Sequence, residues 1–98
     1  MDLNAFRESL AQADPPDGLP LALQALWWDG KDDWDRAHAC AQADSGRDGA
    51  AVHAYLHRKE PDPANARYWY ARANRPVADG TLADEWQSLS REFLGRSL

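Results

Sequence analysis

The sequence predicts an all-α fold of about six helices, and three observations carry that prediction. β-Branched residues are scarce, with one threonine, two valines and no isoleucine. No window keeps up the strand-type alternation of apolar and polar residues, while apolar residues recur at three- and four-residue spacing in several stretches. Capping aspartates and Pro/Gly breaks fall between those stretches, where helices start and stop.

The first helix is expected from about Leu3 to Ala13, capped by Asp2, with Leu3, Phe6 and Leu10 as its apolar stripe. Asp14-Pro-Pro-Asp-Gly18 forms a stiff linker. A second helix starts near Pro20, turns Leu23, Leu26 and Trp27 inward and points Trp28 elsewhere, and Gly30 is expected to supply a left-handed stop. Asp32 or Asp33 caps a third helix bearing Trp34, Ala37, His38 and Ala41 on one face, which ends before Ser45-Gly46. Asp48 is expected to cap the fourth.

Residues 53 to 70 hold a helix end, a turn and a helix start together. Val52, Tyr55, Leu56 and the stem of Lys59 form the buried face of the fourth helix, which stops at Glu60 because Pro61 lacks the amide proton for another turn. Asp62 is a good N-cap and Pro63 fits the first helical position. Ala66, Trp69, Tyr70 and Ala73 then line the inner face of a fifth helix, small residues beside large ones, so that two antiparallel helices approach closely. Arg75-Pro-Val-Ala-Asp-Gly80 breaks that helix. Thr81 with Asp84 opens a closing helix striped by Leu82, Trp86, Leu89 and Phe93.

Shifting the chain by 29 residues lays Ala25 on Ala54, Asp33 on Asp62 and Ala37 on Ala66. Two stacked helical hairpins with a flanking helix at each end follow, in a single domain over residues 1–98. The pattern Ala66-x-x-Trp69-Tyr70-x-x-Ala73, behind a helix and a tight turn, resembles the second helix of tetratricopeptide and Sel-type repeats. It departs from them in having Pro61 where the turn glycine is usual, and His53 and Ala54 where leucine and glycine are typical. The run His53-Ala-Tyr-Leu-His-Arg-Lys-Glu60, with Asp62, Asn65-Ala66 and Tyr68-Trp-Tyr70 after it, is similar to one in small uncharacterised bacterial helical proteins, a likeness covering about residues 25 to 90. The bacterial likeness implies no activity, whereas the tetratricopeptide likeness implies protein or peptide binding.

The net charge of −5 argues against a nucleic-acid partner. Charge is uneven, with four basic and ten acidic residues up to Asp48 and seven basic and six acidic beyond it. Arg58, Lys59, Arg67, Arg72 and Arg75 cluster around the hairpin, either as a solvated face paired with the acidic half or as a patch for an acidic partner. One cysteine, Cys40, makes no internal disulfide, and no stretch suits a signal peptide or membrane span, so a cytoplasmic setting is expected.

Two function classes remain. The first is a non-enzymatic interaction module that binds a protein or peptide, or self-associates, without a cofactor and away from nucleic acid and membrane. Its expected surface is His53, His57, Arg58, Arg67 and Tyr68, with Trp28 as a second patch, because consecutive aromatics cannot all face inward at the helical period. The second is a metal-binding or acid–base centre. His53, His57 and Glu60 stand at i, i+4 and i+7, and His38 joins them if the third and fourth helices pack side by side. The zinc-protease motif is incomplete, lacking a glutamate after His53, and no glycine-rich phosphate loop or cysteine–histidine motif is present.

Overall fold

The computed structural model describes residues 1–96. Six helices run in the order α1 (Leu3–Ser9), α2 (Leu21–Gly30), α3 (Trp34–Ala43), α4 (Arg47–Lys59), α5 (Pro63–Arg72) and α6 (Leu82–Arg96), and no strand occurs among the described residues. No described helix is long and apolar enough to cross a membrane.

The closest packing joins α2 to α3 and α4 to α5, with α3 against α4, so two hairpins stack side by side. The 29-residue offset is built into their geometry, since α3 and α5 start and end at equivalent positions. Asp33 and Asp62 cap those two helices in the same way, each carboxylate accepting from the amide three residues on, Arg36 at 3.1 Å and Asn65 at 3.3 Å. Ala25 and Ala54, and likewise Ala37 and Ala66, are buried at equivalent contacts where a larger side chain would part the helices.

The fourth helix is central and sheathed on nearly all sides. Every residue from Gly49 to His57 is buried, so the imidazole stripe is as enclosed as the apolar one. The main core gathers Phe6, Leu23, Leu26, Trp27, Val52, Leu56 and Phe93, and a smaller cluster of Ala54, Ala66 and Tyr70 lies under α5. Helix α6 is pinned to α2 by the Trp86 indole, which donates to the Leu26 carbonyl at 2.9 Å. Its start carries the expected cap, Thr81 Oγ1 accepting from the Asp84 amide at 3.0 Å.

Three boundaries differ from the sequence expectation. Helix α1 ends at Ser9 rather than near Ala13, where the amides of Leu10, Ala11 and Gln12 turn to the carbonyls three residues back and Lys31 donates to the freed carbonyls of Leu10 and Gln12. Gly30 is not the left-handed stop. It closes α2 as a helical residue, and Asp32 takes the positive φ of 60°. Gly30 serves packing instead, since a Cβ there would lie 3.0 Å from both methyl groups of Leu10 and 3.4 Å from Trp86. The N-cap of α4 is Gly46, with Asp48 inside the first turn and paired to Arg96.

The basic residues are largely engaged. Lys59 bonds the buried Asp29 at 2.9 Å, which also accepts from the Tyr55 hydroxyl at 2.6 Å. Arg58 bonds Glu85 at 2.9 Å and donates to the Gly80 carbonyl, while Arg75 pairs with Glu92. Three of the cations around the hairpin thus hold α6 and α2 in place.

Candidate metal centre

The three histidines of the chain meet between α3, α4 and α5. His53 and His57 lie one turn apart on α4, so the helical period stacks their rings with centroids 4.9 Å apart. His38 comes from α3 across the hairpin contact, with its ring 4.6 Å from that of His53 and 5.3 Å from that of His57. One nitrogen from each imidazole lies within 4.8 Å of the other two. Tetrahedral coordination at a metal–nitrogen length of about 2.0–2.1 Å puts ligand nitrogens about 3.4 Å apart. Closure onto an ion therefore asks for side-chain shifts of about an ångström.

Two indoles wall the cluster. Trp69 on α5 stacks on His53 with centroids 3.9 Å and planes 11° apart, and Trp34 on α3 stacks on His38 at 4.8 Å and 12°. Trp34 is itself held by its Nε1, which donates to the Leu56 carbonyl at 3.0 Å. These walls leave His53 and His57 only 3% and 6% exposed, while His38 is half-buried and opens the site to solvent.

Burial and mutual repulsion favour the neutral, ligand form of His53 and His38. Burial strips water from the charged state of His53, and His38 and His57 repel a further cation, so its pKa falls to about 4. His38 is also lowered, first by burial and then by His57, against weaker opposite effects from Glu60 and Asp35. A neutral imidazole offers a lone pair without having to shed a proton. His53 Nδ1 is buried and has no hydrogen-bond partner among the described residues, an uncompensated cost that a bound cation would relieve.

His57 is oriented from both sides. Its Nδ1 is 3.0 Å from Glu60 Oε1, and its Nε2 is 3.3 Å from Asn65 Nδ2. A carboxylate only accepts and an amide nitrogen only donates, so the proton lies on Nδ1 and the lone pair on Nε2. Glu60, expected as a possible ligand, thus holds the tautomer in the carboxylate–histidine arrangement typical of metal sites. His57, Glu60 and Asp62 form a second cluster of possible donors, but Glu60 is exposed and already engaged by the imidazole.

The expected interaction surface is not one surface. His53 and His57 are buried inside the hairpin contact, because α4 is covered on the side that periodicity alone left open. Arg58 is drawn onto Glu85. Trp28 is half-buried, edge-on to Trp27 and covered by the Arg36 guanidinium 4.5 Å from its ring. Tyr68 is 52% exposed on the outer side of α5 beside exposed Arg67. Cys40 is half-buried against the core, and burial raises its thiol pKa.

Sequence reasoning missed Trp34, Trp69 and Asn65 as parts of this centre. Asn65 carried a findable signal, since it follows the capping Asp62 by three residues and so faces back toward the end of α4. No protein-family model, curated protein or solved structure matches the chain.

Proposed function

We propose that this chain is a small helical protein that binds one divalent transition-metal ion of the zinc class through His38, His53 and His57. The observation that carries the reading is the convergence of one nitrogen from each of the three imidazoles within 4.8 Å, from the two successive helices α3 and α4. An all-imidazole donor set suits zinc, copper or nickel better than magnesium or calcium, which favour oxygen. Binding rather than catalysis is proposed, because two of the three rings are buried against Trp34 and Trp69. The test is a zinc and nickel titration of metal-free protein followed by thermal melting, since an ion that prefers the folded state raises the melting temperature. A rise that His53→Ala and His57→Ala abolish is expected. No rise at excess metal overturns the reading.

Tyr68 supports a second reading, a non-enzymatic module that docks a protein or peptide on the outer face of α5. A half-exposed tyrosine beside Arg67, its hydroxyl accepting from Arg72 at 3.0 Å, is the aromatic–arginine combination common at binding hot spots.

A further inference from the structure

Metal binding at His57 conflicts with a bond the imidazole already makes. Both of its nitrogens are engaged, Nδ1 with Glu60 and Nε2 with Asn65. An incoming ion must take one of these lone-pair positions, and only Nε2 has one while Glu60 holds the proton on Nδ1. The amide nitrogen of Asn65 has no lone pair to share with a cation, so it cannot stay as a bridging group. Resting on the metal reading above, we infer that Asn65 is a built-in gate, whose side-chain amide caps His57 Nε2 in the metal-free protein and swings away when an ion binds.

The local fold suits such an exchange. Asn65 stands in the first turn of α5, where its backbone amide is held by the Asp62 cap at 3.3 Å. Its backbone can stay in place while the side chain turns. The residue is half-buried, so a released amide reaches water and loses little by leaving. With the gate closed, a buried imidazole is satisfied on both nitrogens, which stabilises the empty centre. Among the described residues, its neighbour His53 has no such cap on Nδ1. The three ligands are therefore unequal. His38 and His53 are available for first contact, and His57 completes the site only when Asn65 yields. Asn65 in this role is a positioning residue and touches no ion.

The test is calorimetric titration of zinc into metal-free parent, Asn65→Ala and Asn65→Ser, the serine variant keeping a small polar side chain at this position. Removing the competing hydrogen bond should tighten zinc binding about fivefold in both variants, the equivalent of one neutral hydrogen bond. Melting adds a second readout. The metal-free variants should melt below the parent, whereas the zinc-saturated forms should melt together. If the parent binds zinc and both variants bind equally or more weakly, Asn65 is only structural and the gate is overturned while the metal site stands. Zinc binding by a variant but not by the parent establishes the gate in its strongest form. If none of the three proteins binds zinc, the gate and the metal reading fall together.

Discussion

The indole of Trp69 lies flat on the imidazole of His53, with ring centroids 3.9 Å and planes 11° apart. The pair joins α5 to α4 at the point where the three histidines meet, so the indole senses whatever binds the imidazole. Addition of Cu²⁺, a paramagnetic stand-in for the bound ion, should quench tryptophan fluorescence in proportion up to one equivalent. Trp69→Phe should keep the fold and lose part of that quenching, and His53→Ala should lose most of it. Equal quenching in all three proteins places the copper elsewhere.

Burial and two neighbouring imidazoles hold the pKa of His53 near about 4, below the ordinary 6.5 of an unfolded chain. Above pH 6.5 the ring is neutral in both states and its contribution to stability is complete. As pH falls through 6.5 the unfolded chain takes up a proton that the folded one refuses, and stability declines until about pH 4. The loss across that window is about 3 kcal/mol. Melting of metal-free protein between pH 7 and pH 4 should show it, and His53→Phe should flatten the curve. Parallel curves for parent and variant would remove the assignment.

Arg67 and Tyr68 lie outside the imidazole cluster on exposed positions of α5. Replacing either by alanine should change the melting temperature little, with a cost within about 0.5 kcal/mol. The zinc-induced rise should also be retained. If the outer face of α5 mediates self-association, sedimentation of the parent should depend on concentration and that of the variants should not. Marked unfolding of either variant makes the residue structural, and a parent that stays monomeric removes self-association through this face.

Much of the fold was legible in the chain itself. Scarce β-branched residues, helical periodicity, the capping Asp33 and Asp62, and Pro63 at the first helical position are local signals. They act through backbone sterics and hydrogen bonds within a few residues, so the elements and the 29-residue repeat could be read directly. The i, i+4 spacing of His53 and His57 was equally local.

Only the tertiary structure decided which sides of those elements face inward. Periodicity assigned α4 one buried face, but hairpin stacking encloses it between α3 and α5. That enclosure turned His53 and His57 from expected surface residues into buried ones. It also set His38 against them and Trp69 on top. The ends of α1 and α2 also differ from the local reading, where Lys31 takes the carbonyls of Leu10 and Gln12 and Gly30 makes room for Leu10 and Trp86. Sequence spacing fixes which residues share a helix face. Burial of a face depends on what packs against it, and those partners lie too far along the chain for local spacing to reveal.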